Sequence, residues 1–475
     1  MISKSITDKT TTSTPQKVDE YCDSDSIISE QSLSVIDDDT LTIKEKSNIT
    51  PRWHSFSEQQ IRCVVTRWDD DFIYVTEEFN GGELKVCYGE DNKYLSREGA
   101  GDWGYLKTII QKNSQLSLVR IRMIDDVCYP ELIIYQPDYL INITTIASCF
   151  ETYTAAPVVA LIKRLTKQRD SSHTHLGNIA GHFLDNVIHN IEEDFSHVFN
   201  SYFHDNILSV LTCSDLVSQA DFEAFKNKSE RQLNIISKVI AKDLPTMLPD
   251  LHTDDIILEP TFFSEVLGIQ GRFDFLSETD NDVVIIEQKS GKARFVPGEN
   301  RDRDIPQIKV THWIQLLLYR ALYLYEFNKY ADQLRHIMLL YSDYVNGLVP
   351  VARSRELFLQ AIKMRNLLAY HEMSYAQDGV EMLDSLSADE LNTNQLTGRL
   401  WTDYVRPELE SVLNPIQNAS VIEKKYFFRF MRFVAKEHLL SKLGNQTNND
   451  RGFASVWHDT LEEKNPLEIY MMNSP

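Results

Sequence analysis

A stretch near the middle of the chain places acidic and basic side chains where two strands are predicted to meet. Residues 258–292 read LEPTFFSEVLGIQGRFDFLSETDNDVVIIEQKSGK. The alternation in GRFDFL predicts a strand, and SETDND supplies turn-forming residues before the apolar run VVIIEQK. Because side chains at i and i+2 of a strand share a face, Glu287 and Lys289 point the same way. If the two strands pair, Asp274 reaches the same place.

Two carboxylates and a lysine at the end of a sheet can hold a hard divalent cation. Carboxylate oxygens are ligands that Mg²⁺ prefers, and the ion keeps several of its waters for chemistry. The spacing therefore predicts a Mg²⁺ or Mn²⁺ site at Asp274 and Glu287, with Lys289 beside it. A single Glu-x-Lys pair would more simply be a solvated ion pair at a strand end. The prediction therefore depends on the ordered motifs around it.

The ordered motifs resemble the PD-(D/E)xK nuclease superfamily, and within it the RecB-type branch, whose pattern is G-h-x-D followed by E-x-K-S/T-G-K. GRFD and EQKSGK match that pattern in order. The resemblance implies that Asp274 and Glu287 bind the metal and that Lys289 positions or activates the attacking water. It also implies a supporting metal-side role for the upstream acid Glu259.

A second element of the resemblance lies downstream, in HWIQLLLY at residues 312–319. A helix is predicted from Lys309 to Tyr325, and it holds Gln315 and Tyr319 one turn apart on one face. The Q-x-x-x-Y helix of the RecB-type branch lines the DNA cleft, which implies catalytic-site roles for both residues. The candidate DNA-binding residues are Arg272, Lys292, Arg294 and His312.

The segment HLGNIAGHFLDNVIHNIEEDFSHVF, residues 175–199, is predicted to form one amphipathic helix. The RecB-type pattern here is G-x-x-x-H-x-x-L-E/D. Gly181 stands at the histidine position, and His182 follows it. We expect His182 to be a candidate metal ligand, with Asp185 or a one-metal site as alternatives. The matching glycine, leucine and acid are Gly177, Leu184 and Asp185.

The segment PDYLINITTIASCF, residues 137–150, resembles the start of the nuclease module in the DNA-replication helicase–nuclease family. Thr152 falls where that family has its first iron–sulfur cysteine, and no cysteine follows Cys213. Since a [4Fe–4S] cluster normally needs four thiolates, we predict no iron–sulfur cluster. The six cysteines show no paired spacing, which predicts reduced thiols in a cytoplasmic or nuclear protein.

The chain divides into four predicted regions around an α/β (α+β) fold. The nuclease core is expected to be a mixed sheet flanked by helices, preceded by a small OB-like β-barrel of short strands with regular turns. The N-terminal region is dominated by Ser, Thr, Asp and Glu, which predicts disorder. The regions are the disordered tail 1–50, the barrel 51–137, the nuclease domain 138–445 with helical insertions, and the C-terminal extension 446–475.

Two groups of aromatic residues allow two interpretations each. Those of the barrel could stack on bases, or more simply fill its core: Trp53, Trp68, Tyr74, Phe79, Tyr88, Tyr94 and Trp103. The helical segment KKYFFRFMRF, residues 424–433, interleaves aromatic and basic residues. It could face DNA, or its rings could be core with the basic side chains snorkelling to solvent.

Composition limits the partners. The formal net charge of the 475 residues is −22, which predicts weak non-specific binding to nucleic acid and guidance of DNA by the site, the metal or a partner. No apolar run approaches the ~20 residues of a membrane span, so no membrane partner is expected. No G-x-x-x-x-G-K-[ST] loop occurs, so either a helicase acts in trans or the protein continues beyond Pro475.

These observations predict a metal-dependent DNA nuclease that acts on single-stranded ends or flaps in repair, replication or defence. Two alternatives remain. A nuclease fold that has lost catalysis could serve as a DNA-binding subunit of a helicase complex, which Gly181 and the acidic charge favour. A restriction or defence endonuclease could share the same core.

Overall fold

The computed structural model describes residues 60–89 and 102–451, apart from 168–169, 192–193, 280–281, 297, 328–333, 335 and 446–449. The predicted disordered tail, most of the predicted C-terminal extension, Trp53 and Tyr94 lie outside these residues.

The first described unit is a closed five-stranded barrel. Apolar side chains alternate into its core along the first two strands, at Cys63 and Val65 and at Ile73 and Val75. The turn between the last two strands uses Asp125 and Asp126 at φ 47° and 63°, as a two-residue hairpin requires. The predicted small barrel is confirmed, while its OB-like character stays a prediction. The strands are β1 (Gln60–Trp68), β2 (Phe72–Glu77), β3 (Glu83–Cys87), β4 (Gln115–Ile124) and β5 (Val127–Tyr135), in the order β1-β2-β3-β5-β4.

The aromatic residues of the barrel differ in their environment. Tyr88 and Trp103 are buried in its core, as the simpler interpretation expects. Trp68 and Phe79 are exposed at 36% and 80%. Tyr74 is half-buried, and the Arg67 guanidinium lies 3.3 Å above the centre of its ring. The barrel therefore keeps a few accessible rings.

The nuclease core contains a five-stranded mixed sheet, which confirms the predicted sheet type. Its central strand alternates between two cores: Val283 and Ile285 belong to one, and Val284 and Ile286 to the other. A strand covered on both faces reads as a continuous apolar run, as this one does. The strands are β9 (Ile256–Leu258), β12 (Phe275–Glu278), β13 (Val283–Lys289), β14 (His336–Tyr341) and β15 (Leu348–Pro350), in the order β15-β14-β13-β12-β9, with only β13 and β14 parallel.

The predicted continuous strand GRFDFL is interrupted. Its first part ends at Arg272 in a second, three-stranded sheet, and its second part begins at Phe275 in the central sheet. The neighbouring segment is interrupted at the same level, at Glu259, whose φ is 50°. Both segments pass from one sheet to the other there, and Asp274 lies where they cross. The second sheet comprises β6 (Ile141–Asn142), β10 (Thr261–Ser264) and β11 (Ile269–Arg272), and a short hairpin is formed by β7 (Phe150–Glu151) and β8 (Thr154–Ala155).

The helix predicted over residues 175–199 is wrong as a single element. It ends at Ile188, Asn190 has a left-handed φ of 52°, and a new helix begins at Phe195. The helix predicted from Lys309 to Tyr325 is confirmed within one residue. The helices are α1 (Ile143–Ala147), α2 (Val158–Leu165), α3 (Ser172–Ile188), α4 (Phe195–Asp205), α5 (Ile207–Leu211), α6 (Gln219–Lys238), α7 (Leu244–Met247), α8 (Val310–Glu326), α9 (Arg355–Gln377), α10 (Ala388–Leu391), α11 (Arg406–Gln417) and α12 (Val421–Leu443).

The barrel and the nuclease sheets are joined by a buried arginine of α9. Arg365 is fully buried and donates to backbone carbonyls at the end of the barrel and at the start of β11. Its acceptors are the carbonyls of Tyr135, Gln136 at 2.8 Å, Tyr139 at 2.9 Å and Gly268 at 3.1 Å. Gly268 has φ +62°, and a Cβ there would lie 2.1 Å from the Arg365 guanidinium, so only glycine allows this approach. A single hydrophobic core also runs across the junction. The division of the chain at residues 137 and 445 stays a prediction.

No helix among the described residues is long and apolar enough to cross a membrane.

Candidate active site

The end of β13 carries the acidic and basic residues that the sequence singles out. Glu287 is 4% exposed, and its Oε1 accepts hydrogen bonds from Lys289 Nζ at 2.7 Å and from Gln315 Nε2 at 2.6 Å. Its other oxygen, Oε2, has no partner among the described residues. Burial, and then repulsion from Asp274, raises the pKa of Glu287 to about 8. The site thus contains a buried carboxylate with one unused oxygen.

Asp274 lies opposite Glu287 across the β12–β13 pair. Phe275 pairs with Ile286 in the antiparallel register, and the next pair in this register is Asp274 with Glu287. The backbone N–H of Gln288 donates to Asp274 Oδ2 at 2.8 Å, which fixes the orientation of the carboxylate. Burial raises the pKa of Asp274, and Lys289 opposes this effect. Two carboxylates therefore share one poorly solvated place, where each disfavours the ionised form of the other.

Gln315 and Tyr319 form a hydrogen-bonded chain behind Glu287. Gln315 Nε2 also donates to the Tyr319 hydroxyl at 2.9 Å, and that hydroxyl donates to the Arg272 carbonyl at 2.8 Å. Both side chains are buried, at 5% and 1% exposure. Gly271 makes room for the ring, because a Cβ there would lie 2.6 Å from Tyr319 Cε1. In this structure Gln315 holds the Glu287 carboxylate by a hydrogen bond, and Tyr319 holds Gln315. The Tyr319 ring is buried and has no exposed face on which a base could stack.

Glu259 and Asp185 add acidic groups beside Asp274. Glu259 is exposed and pairs with Arg272, with 3.0 Å between Oε2 and Nη1. Burial raises the pKa of Asp185, and the charges of Glu259 and Asp274 raise it further. The acid of α3 is therefore electrostatically coupled to the strand acids. The sequence offered Asp185 only as an alternative, and the structure brings it to the site.

His182 and Gly181 lie on different sides of α3. Gly177 faces the loop after β13, since a Cβ there would lie 3.5 Å from Ser290 Oγ. Gly181 and Asp185 follow at intervals of four residues, so they share this face. His182 is exposed and its ring lies 6.0 Å from that of Tyr202, on α4. The structure therefore directs Asp185 toward the acids and His182 toward α4.

The candidate DNA-binding residues lie at the end of β11, on the loop after β13 and on α8. Lys292 and Arg294 are exposed on the loop after β13, and Arg272 is held by Glu259. His312 bonds through Nδ1 to the Tyr341 hydroxyl at 2.8 Å. Burial, followed by repulsion from Lys289 and Lys309, lowers the pKa of His312 to about 3, so the ring is neutral at physiological pH.

The sequence missed the role of Gln288. Its backbone N–H orients Asp274, and its side chain donates to the Ala180 carbonyl at 3.2 Å, which ties α3 to β13. As the variable position of Glu-x-Lys, it gives no signal in the sequence. The tip of the loop after β13, GENRDRD, is also anchored: Arg301 pairs with Asp343 at 2.5 Å and Arg231 with Asp302 at 2.8 Å.

The residues at this site fit a divalent cation. Within the described part of the chain, no three His, Cys, Asp or Glu side chains are already gathered as a metal cluster. The fit is carried instead by the partnerless Glu287 Oε2, with Asp274 opposite and both pKa values raised. A cation between these oxygens would satisfy the orphaned atom and favour both ionised forms.

Comparisons with known proteins agree with the superfamily that the motifs suggest. The model of the PD-(D/E)XK nuclease superfamily matches residues 148–415, which is more than half of the chain. The chain therefore belongs to the PD-(D/E)XK nuclease superfamily. A crystal structure of a candidate exonuclease from Eubacterium rectale is similar at 10% identity and a TM-score of 0.31, over 50% of this chain and 81% of that chain. No curated protein matches the sequence.

Proposed function

We propose that the protein is a Mg²⁺- or Mn²⁺-dependent deoxyribonuclease of the RecB-type branch that hydrolyses phosphodiester bonds at single-stranded ends or flaps. The observation that carries the proposal is the buried Glu287 carboxylate. It is paired with Lys289, lies opposite Asp274 and has one oxygen that no described residue contacts by a hydrogen bond. Such an arrangement lowers the stability of the fold and provides a ligand for a cation.

In this proposal Asp274 and Glu287 hold the metal, with Glu259 and Asp185 as supporting acids. When bound, the metal supplies positive charge that polarises the phosphoryl oxygen and lowers the pKa of water. Lys289, 23% exposed in its side chain, orients the attacking water and offsets negative charge that develops on the phosphate.

The hydrogen-bonded pair behind the site keeps Glu287 in place. Gln315 donates to the same Glu287 oxygen as Lys289, so the second oxygen is left without a donor among the described residues. Tyr319 fixes Gln315 through its hydroxyl. We assign both residues a positioning role. This pair is also the feature that supports the RecB-type branch over other branches of the superfamily.

The substrate form follows from charge. With a net charge of −22, the protein has weak general attraction for duplex DNA, so contacts near the site must select the substrate. In this proposal Lys292 and Arg294, exposed on the loop after β13, contact phosphates, and the barrel has an OB-like role beside the incoming strand.

A second candidate function is a DNA-binding subunit of a helicase complex without cleavage activity. The observation that favours it is Gly181 at the position where the family pattern has histidine. Retention of Asp274, Glu287 and Lys289 in one hydrogen-bonded cluster favours the nuclease.

Cleavage of end-labelled single-stranded DNA tests the proposal. The purified chain should cut in Mg²⁺ or Mn²⁺ and stop in EDTA, and Lys289→Ala should lower the rate by about 10²–10³-fold. Lys228→Ala, an exposed lysine of α6, is the matched control and should cut like wild type. Failure of wild type to cut single-stranded, flapped and duplex DNA in either metal would refute the nuclease and favour the binding subunit.

A further inference from the structure

The outer face of α12 carries aromatic rings that the core does not cover. Tyr426 is 71% exposed, Phe430 51% and Phe433 55%. Steps of four and three residues place these rings on one side of the helix, opposite the buried Phe428. The interpretation of this aromatic segment as core is therefore wrong for three of its rings, which face solvent.

The three rings form a row along the helix. Tyr426 and Phe430 have ring centroids 6.0 Å apart and planes within 8° of each other. Phe430 and Phe433 have centroids 6.3 Å apart and planes at 36°. Together with Lys425 and Arg429 they line an open groove of about 450 Å³. Aromatic rings are therefore repeated along this side of the helix about once per turn.

Basic side chains lie along one side of this row. Lys425, Arg429, Arg432 and Lys436 are exposed, and none of the four forms an ion pair with another described residue. The inward lysines are already engaged, Lys424 with Asp384 at 2.6 Å and Lys442 with the Leu140 carbonyl at 2.5 Å. The helix has six basic and two acidic residues in a protein whose net charge is −22. The local charge is therefore opposite to that of the molecule as a whole.

We propose that the outer face of α12 binds single-stranded nucleic acid, with bases stacked on the Tyr426, Phe430 and Phe433 rings and phosphates paired with the four exposed cations. Aromatic faces interleaved with cations bind unpaired bases and backbone without sequence preference. A second copy of the same face would bring like charges together. An acidic peptide would use the cations and leave the flat faces unused. This binding is separate from the nuclease site and does not depend on cleavage.

Fluorescence anisotropy with a labelled 20-residue oligothymidylate tests the proposal. The full-length chain is titrated in EDTA, where cleavage does not interfere. The double variant Tyr426→Ala, Phe430→Ala should raise Kd about tenfold or more. The double variant Lys425→Ala, Arg429→Ala should weaken binding and reduce the steepness of log K against log salt by about 1.4, the value for two lost phosphate contacts on a single strand.

Two matched controls separate this face from general surface effects. Ile207→Ala with Leu208→Ala removes apolar side chains of comparable exposure, 55% and 78%. No Lys or Arg lies near these two residues in the sequence. Lys228→Ala with Lys242→Ala removes two exposed lysines of another region. Both controls should bind like wild type, and all variants should unfold at the wild-type temperature.

Three results would overturn the proposal: unchanged binding by the Tyr426→Ala, Phe430→Ala variant, equal loss in the apolar control, or equal loss in the lysine control. A wild-type dimer in sedimentation that the aromatic variant abolishes, with DNA binding unchanged, would assign the face to a second copy. If wild type binds through α12 yet never cleaves, this proposal stands and the proposed nuclease activity fails.

Discussion

Two buried charged side chains illustrate how the same fold treats structure and chemistry differently. Arg365 and Glu287 are 0% and 4% exposed, and they differ in how far their hydrogen-bonding capacity is met. Every nitrogen of Arg365 donates to an acceptor, all but one of them backbone carbonyls. Glu287 has donors on one oxygen only, and the other has none among the described residues.

The difference separates a structural charge from a functional one. Burying a charged group is tolerated when its hydrogen-bonding capacity is met, and Arg365 meets it with carbonyls from the barrel and from the nuclease sheet. A buried oxygen without a hydrogen-bond donor lowers the stability of the fold and is retained where function requires it. We infer that this is the case for Glu287. The first cluster should therefore respond to mutation in stability, and the second in activity.

The largest effect is expected at Arg365. Arg365→Met removes the guanidinium donor from the carbonyls of Tyr135, Gln136, Tyr139 and Gly268 at the junction of the two units, although the Gln136 and Gly268 carbonyls each keep a backbone N–H donor. We expect the free energy of unfolding to fall by about 3–5 kcal/mol, measured by urea denaturation. Arg406→Met, which removes an exposed pair with Glu410, should leave it nearly unchanged. Equal effects at the two arginines would contradict the comparison.

Glu287→Gln should show the reverse pattern. The amide keeps the size of the side chain and removes the charge that would hold the metal, so cleavage should fall by about 10²–10³-fold. Stability in EDTA should stay the same or rise, because a buried carboxylate with an unpaired oxygen is lost. Cleavage assays and urea denaturation on one preparation measure both quantities. A loss of stability as large as that of Arg365→Met would show that Glu287 is structural.

The pH dependence of stability sharpens the same contrast. Because the pKa of Glu287 is raised to about 8, the folded chain binds this proton more tightly than the unfolded chain, where Glu titrates near pH 4.3. Glu287 therefore costs nothing below about pH 4 and destabilises the fold increasingly as pH rises toward 8. In EDTA, wild type should lose roughly 3–4 kcal/mol relative to Glu287→Gln between pH 5 and pH 8.

Metal removal and replacement provide the control for this pH effect. Adding Mg²⁺ should reduce the loss at pH 8, since a ligand that binds only the folded chain stabilises it. A difference between wild type and Glu287→Gln that does not vary with pH would mean that the carboxyl group is not desolvated as the structure indicates.

The core of the site was predictable because its geometry is local in sequence. Glu287 and Lys289 share a face through the two-residue period of a strand, and Asp274 joins them through one short hairpin. The barrel strands were predictable for the same reason, since apolar runs and turn residues are short-range signals.

The remainder depends on contacts between residues far apart in the chain. The strand is interrupted after Arg272 because two neighbouring segments pass between the two sheets at the same level. No pattern within GRFDFL encodes this interruption. Arg365 lies on a helix that sequence alone describes as ordinary, yet it reaches the Gly268 carbonyl, 97 positions away. The end of α3 near Asn190 overrode an apolar periodicity that continued to Ile191. The exposure of the α12 rings likewise depends on which face its neighbours cover.

The smallest expected effect is at Gly181. A Cβ at this position would have no atom within 4 Å, so the first atom of an added side chain meets no neighbour there. Gly181→His would place an imidazole between Gly177 and Asp185 on the face directed at the acids. We expect stability to change by less than about 1 kcal/mol, since leaving glycine improves helix propensity. The metal concentration for half-maximal cleavage should fall about 2- to 10-fold, because imidazole adds a ligand.

His182→Ala is the matched control for this last substitution. Its ring lies against Tyr202 on α4, so its removal should leave the metal dependence of cleavage unchanged. Metal titrations of wild type and both variants measure the difference. If His182→Ala raises the metal requirement and Gly181→His does not lower it, then His182 rather than the Gly181–Asp185 face is directed at the metal, and the placement of α3 over the site must differ from the one described.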